Sequence, residues 1–223
     1  EVLHAWEGPG DVWGHAELLP NGDLIVPEKT GARFELVCLA WDSSERWRVD
    51  VGAHHDVELR PDGKVSTLGF AERQEDSIDS ELAFRDEHIL LLDRETGKEL
   101  DRASFYDMFT AAGDEFRHFE DRWVEKWRKD FEWIDLYHAN SVEWMHRPEL
   151  ESRSPLYAAD HVLVSFRHQA CDVHSKLGPP NAVLHVLEED LDSWKFTPDR
   201  TREPCSCMNC SVARDCRMPT CSN

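Results

Sequence analysis

Residues 54–68 read His54-His55-Asp56-Val57-Glu58-Leu59-Arg60-Pro61-Asp62-Gly63-Lys64-Val65-Ser66-Thr67-Leu68. Two short strand-like runs flank a Pro-Asp-Gly turn, where glycine supplies the positive φ of a tight connection. Residues 13–26, Trp13-Gly14-His15-Ala16-Glu17-Leu18-Leu19-Pro20-Asn21-Gly22-Asp23-Leu24-Ile25-Val26, repeat that grammar: a His, a Leu three or four residues later, a Pro-Asn-Gly turn and a second apolar run. The two hairpins lie about 40 residues apart, the spacing of propeller blades built from four short strands.

Working outward, further strand pairs lie between these hairpins. Phe34 to Ala40 and Trp47 to Val51 flank Trp41-Asp42-Ser43-Ser44-Glu45, and His88 to Asp93 and Lys98 to Leu100 flank Arg94-Glu95-Thr96-Gly97. Each unit therefore reads as two hairpins in succession, which favours an all-β array of four-stranded antiparallel blades over a βαβ fold. A third unit begins at Trp133, with Asp135 to Trp144, a longer connection from Met145 to Asp160, and the apolar run His161 to Phe166. Val183 to Leu187 suggests one more strand, and alternation is lost from Glu188 on. Between the second and third units, residues 101–133 carry Phe105, Met108, Phe109, Phe116, Phe119, Trp123, Trp127 and Phe131, many three or four apart, which predicts a helical insertion packing on the sheet. The expected organisation is a β-propeller-like domain over 1–187 and an irregular Cys-rich tail over 188–223.

Composition narrows the partners. Forty-five acidic against 25 basic residues give a formal charge of −20, which repels a phosphate backbone or an anionic membrane surface, so nucleic acid is excluded as a partner. No apolar run reaches the roughly 20 residues of a membrane span. The chain opens at Glu1 without the basic and apolar pattern of a leader, as expected of a processed protein or a fragment. Five of its seven cysteines fall in the last nineteen residues, at Cys205, Cys207, Cys210, Cys216 and Cys221, a spacing that leaves zinc, disulfides or an unstructured tail open. Cys38, alone in an apolar run, reads as a buried hydrophobe.

The polar residues at the strand starts carry the functional reading. His54-His55-Asp56, Leu91-Leu92-Asp93 with Gly97-Lys98, and above all Asp135-x-x-His138-x-Asn140-Ser141-Val142 with Ser165-x-Arg167-His168 resemble the bacterial arylsulfate sulfotransferase (ASST-type) family over roughly residues 10 to 170. The resemblance implies about half of a six-bladed β-propeller. It also implies transfer of a sulfuryl group from a phenolic sulfate to a phenol through a histidine intermediate, with no cofactor, in the periplasm or outside the cell. The residue types suit this chemistry. Fixed guanidinium and N–H donors stabilise charge spread over sulfuryl oxygens, and a neutral imidazole is a competent covalent nucleophile.

Carried onto this chain, the resemblance implies that His55, or His54 as the alternative, contacts the sulfuryl group or the phenol. His138 is a second contact and Arg167 the anion clamp. Asn140 and Ser141 orient His138, His168 and Asp56 support the site, and His15 lines the same opening. The family's nucleophile lies on the blade after Ser-x-Arg, and neither His174 nor His185 sits in the expected hairpin, so no nucleophile is assigned. The expected chain is thus a partial member with open sheet edges available for self-association, and a non-catalytic binding module is the competing reading. A metal site at His54-His55-Asp56 lacks any supporting ligand spacing.

Overall fold

The computed structural model describes residues 1–112, 132–145, 148–153, 157 and 161–166, and the backbone course of 182–190 and 193–197. The chain forms three mainly antiparallel sheets with little helix. The first holds β1 (Val12–Trp13), β2 (Glu17–Leu18), β3 (Leu24–Thr30), β4 (Arg33–Leu39) and β5 (Glu45–Asp50). β1 pairs with the far end of β3 and β2 with its near end, so together they make one interrupted edge strand with His15 at the break. That break admits Pro27 in the middle of β3. Its carbonyl accepts from Gly14 N–H, so its missing N–H faces the gap rather than a paired neighbour.

The second sheet holds β6 (His54–Leu59), β7 (Val65–Glu75), β8 (Asp79–Leu92) and β9 (Glu99–Ser104), with β10 (Ile134–Asp135) laid parallel on the early part of β8. The third holds β11 (Ala139–Trp144), β12 (His161–Phe166), β13 (Ala182–Asp190) and β14 (Ser193–Thr197) in simple succession. Helix α1 (Phe105–Ala112) follows β9 directly, and a short α2 (Pro148–Glu151) lies between β11 and β12.

The repeated turn chemistry is the same structure made twice. Gly22 N–H donates to Leu19 O and Gly63 N–H to Arg60 O, with the glycines at φ 88° and 84°. Leu19 N–H meets Asp23 O and Arg60 N–H meets Lys64 O, which closes each hairpin.

Apolar residues fill the spaces between the sheets. Ile25, Leu36, Cys38 and Trp47 of the first sheet meet Val57, Val65, Leu90 and Leu92 of the second. Leu68, Ile89 and Leu91 on the other face of the second sheet meet Val142, Trp144, Val162 and Phe166 of the third, with Phe105 and Phe109 of α1 filling the same layer. β6 therefore packs between β3 and β11. Cys38 is buried as expected, and burial pushes its thiol up to about 11, so it stays protonated and unreactive.

Three expectations are revised. The helical insertion does not begin at 101: Asp101–Ser104 pair with Leu91–His88 as β9, and Ser104 Oγ accepts from Asp107 N–H at 3.1 Å as a cap that starts α1. Of the rest of that segment, 113–131 lie outside the described residues. The boundary at 187 falls inside β13, and β14 continues the third sheet to Thr197. β7 and β8 also run well past Leu68 and well before His88, because charged residues such as Glu72, Arg73, Arg85 and Asp86 sit in paired positions of a ribbon and mask its alternation.

His88 in β8 is buried, and that burial lowers its pKa from the ordinary 6.5, with Asp86 at 3.7 Å pulling the other way. Because the folded-state value is depressed, the unfolded chain binds more protons below pH 6.5. The contribution to stability is complete above that pH and is lost as pH falls through the folded value. Replacing His88 by Gln should therefore flatten the loss of urea midpoint between pH 7.5 and 5.5. An unchanged slope would show that His88 is as easily protonated folded as unfolded.

Candidate functional site

The edge strand of the first sheet is interrupted at His15, β6 of the second is bulged at His55, and His138 lies just before β11, the first strand of the third. In β6, His54 pairs with Leu68 and Val57 with Thr67, so His55 and Asp56 form a bulge, with the Asp56 carbonyl taken by Thr67 Oγ1 at 2.7 Å. His55 has φ 58°, and His138, between β10 and β11, has φ 50°. Left-handed backbone in a non-glycine residue costs about 1–2 kcal/mol and is retained where surrounding structure enforces it, often at functional sites. His15 N–H donates to His55 O at 2.7 Å, and a side chain at Gly14 would come within 2.8 Å of that oxygen, so a glycine is needed for the first two sheets to approach.

These breaks bring side chains of all three sheets together. His55 Nε2 and His138 Nε2 lie 3.3 Å apart. His138 Nδ1 is 2.5 Å from Asp135 Oδ2, and His15 Nδ1 is 2.6 Å from Asp56 Oδ1. A carboxylate only accepts, so each of these Nδ1 atoms carries the proton and each Nε2 presents its lone pair. Between the two facing Nε2 atoms, His55 is then the donor. His54 Nε2 meets Glu87 Oε1 at 3.0 Å and its Nδ1 meets Gly52 O at 3.1 Å, which fixes the ring between the two acceptors.

The same carboxylates sew the second sheet to the third. Ala139, Val142 and Trp144 N–H groups, on the open edge of β11, donate to Glu87 Oε2, Asp56 Oδ2 and Glu58 Oε2, each at 2.9 Å. Acidic side chains thus supply the acceptors that a neighbouring strand would otherwise offer.

A cleft of about 260 Å³ opens beside the histidines, lined among others by Trp13, Phe34, His54, His55, Arg85 and His138. It lies just below the ~300 Å³ where drug-sized pockets begin, room for a single-ring compound. Burial lowers the Arg85 pKa, partly offset by Asp135, Glu87 and Glu72, and its guanidinium lies 3.4 Å from the Trp133 ring centroid and 4.2 Å from that of Phe70. A broader cleft of about 320 Å³ is lined by Pro9, Thr30, Arg33, Glu35, Glu45 and Arg48. There Arg48 is already engaged by Glu28, Glu35 and Glu45 at 2.7–3.0 Å, which leaves little unsatisfied charge for a ligand.

Of the residues expected from sequence, His54, His55 and His138 line this cleft and Asp56 supports them, whereas His15 is tied to Asp56 without lining it. Ser141 Oγ instead pairs with Ser165 Oγ at 2.6 Å across β11 and β12, and Asn140 Nδ2 is buried without a partner among the described residues. Asp135 holds His138, a role written in the sequence as Asp-x-x-His but not drawn from it. Arg167 and His168 lie outside the described residues. Glu87 and Arg85 were hidden in a charged run with no motif to mark them. Among the described residues no three of the site's side chains form a metal-ligand group, and no helix is long and apolar enough to cross a membrane.

No curated protein and no solved structure matches the chain. The family model described as Arylsulfotransferase (ASST) matches residues 20–174, more than half of its length, and the chain therefore belongs to the arylsulfotransferase (ASST) family.

Proposed function

We propose that this chain carries out sulfuryl transfer from a phenolic sulfate ester to a phenol through a sulfated histidine, on three successive blades of an open β-propeller. Family membership supports the reaction class. The blade reading is supported by the succession of four-stranded meanders, each with a histidine in or just before its first strand, with β6 between β3 and β11. A periplasmic or extracellular setting and independence from any nucleotide donor follow the family as parts of the same proposal.

The observation that carries the reading is the His55–His138 pair, 3.3 Å between Nε2 atoms, with His138 backed by Asp135. Among the described residues His138 is the best-placed carrier. Its Nε2 attacks sulfur, the ester S–O bond breaks, and the departing phenolate takes the Nε2 proton of His55, which enters the step as imidazolium and leaves it neutral. In the second half the acceptor phenol returns a proton to His55 as its oxygen attacks sulfur. The N–S bond then breaks and the imidazole is restored. Asp135 stabilises the positive charge that the ring of His138 gains on attack. Arg167, in the role implied by the family motif, would balance charge on the sulfuryl oxygens.

The expected result is release of 4-nitrophenol from 4-nitrophenyl sulfate, accelerated by phenol, with a sulfated peptide containing His138 trapped by mass spectrometry after donor alone. Absence of release at any enzyme concentration would sink the catalytic reading and favour a binding module. A sulfated peptide containing a different histidine would move the carrier.

A further inference from the structure

Arg85 is left over when the ion pairs inside the cleft are assigned. Glu28 is engaged by Arg48 and by Trp13 Nε1, Glu87 by His54 and Ala139 N–H, and Asp135 by His138. Arg85 lines the same cleft, yet forms no ion pair among the described residues, although Asp135, Glu87 and Glu72 are near enough to act on it through space. Its position is fixed by β8, where Arg85 sits opposite Glu72 and beside Asp135. Aromatic rings pack around the guanidinium, at 3.4 Å from Trp133, 4.2 Å from Phe70 and 5.1 Å from Phe34 to the centroids. Stacking on ring faces leaves the in-plane N–H donors of a guanidinium free to meet a planar anion edge-on. Lys29, exposed at the cleft's rim, stands 5.3 Å from the same Phe34 ring, so a second cation borders the position.

A partly desolvated cation whose neighbouring carboxylates make no direct ion pair with it has donors that a ligand can complete. The aromatic lining also suits a ring rather than a bare ion. We propose that Arg85, with Lys29 at the rim, is a specificity-determining anion subsite that selects phenols carrying a second anionic group, a carboxylate or sulfonate, whose hydroxyl or sulfate ester faces His55 and His138. The proposal rests on the sulfuryl-transfer reading for its substrate class but not for the existence of the subsite. It assigns Arg85 to the non-reacting end of the substrate and leaves the reacting sulfuryl group to the histidines.

The test compares acceptors in pairs. With 4-nitrophenyl sulfate as donor, kcat/KM is measured for 4-hydroxybenzoate and 4-hydroxybenzenesulfonate against phenol, in the parent and in Arg85→Met, whose thioether keeps apolar contact with the surrounding rings. A hydrogen-bonded charge pair is worth enough that the anionic-to-neutral ratio should fall about 10- to 100-fold in Arg85→Met. Arg85→Lys should restore part of that ratio. Calorimetric titration with 4-hydroxybenzoate in the absence of donor reads the subsite separately, and circular dichroism checks that each variant folds, with Arg85→Gln as a second neutral variant.

Arg85-dependent binding of 4-hydroxybenzoate without any turnover would uphold the subsite while defeating the transfer reading. An acceptor ratio unchanged by the substitution would overturn the subsite. An equal loss for all acceptors would do the same, because it would place Arg85 at the reacting sulfuryl group.

Discussion

His138→Ala is expected to lower phenol-dependent release of 4-nitrophenol by at least ~10³-fold, because it removes both the proposed nucleophile and the partner of His55. Asp135→Asn should cost a comparable ~10²–10⁴-fold, since the amide can donate to Nδ1 as well as accept from it and so releases the ring from its reactive tautomer. The loss should fall on kcat with little change in KM, as for an interaction realised in the transition state. His138 has φ 50°, a conformation that histidine and asparagine adopt more readily than alanine, so the alanine variant adds a backbone cost to its chemical one. His138→Asn separates the two, because asparagine tolerates that conformation but cannot accept a sulfuryl group on an imidazole. Retention of a third or more of the parent rate in His138→Asn would exclude His138 as the carrier.

Phe166→Ala is expected to destabilise the protein by about 3–5 kcal/mol, a large share of the roughly 5–15 kcal/mol available to a domain. Phe166 is fully buried at the end of β12, with ring centroids 4.8 Å from Phe105, 5.6 Å from Phe109 and 6.0 Å from Tyr137. Its ring thus joins α1, the third sheet and the segment that enters His138. Burial also pushes the Tyr137 hydroxyl well above its ordinary value, so that side chain stays neutral within the layer. Phe166→Leu keeps most of the apolar volume and should cost less than about 1.5 kcal/mol. Urea unfolding of both variants measures the difference. A loss below about 1 kcal/mol for the alanine variant would mean that the space between the second and third sheets is not a packed core.

The hairpins were legible because Leu-Pro-Asn-Gly and Arg-Pro-Asp-Gly state their own turn geometry, and the structure builds the same hydrogen bonds at both. The ribbon of β7 and β8 was not, because Glu72, Arg73, Arg85 and Asp86 occupy paired positions where a strand's alternation would normally show apolar residues. β14 was missed for a related reason: a short strand with little alternation is recognisable only by the partner it pairs with. Of the site, the histidines were visible as strand-start residues and Asp56 as their neighbour. Glu87 and Arg85, in the middle of a charged run, were not, since nothing local distinguishes a charge facing a cleft from one facing solvent.

The sequence alone was enough for the all-β class, the positions of the repeated turns, the family and the placing of histidines at strand starts, because each rests on local pattern: a period of two, a glycine after an aspartate or asparagine, a short motif. Which carboxylate holds which histidine was decided only in three dimensions. Asp56 reaches back 41 positions to His15 and forward 86 to Val142, and His55 meets His138 across 83. Those pairings exist because the gap between β1 and β2, the bulge in β6 and the left-handed residue before β11 turn side chains out of the sheets toward one another, and a long-range approach of that kind leaves no periodic trace in the chain.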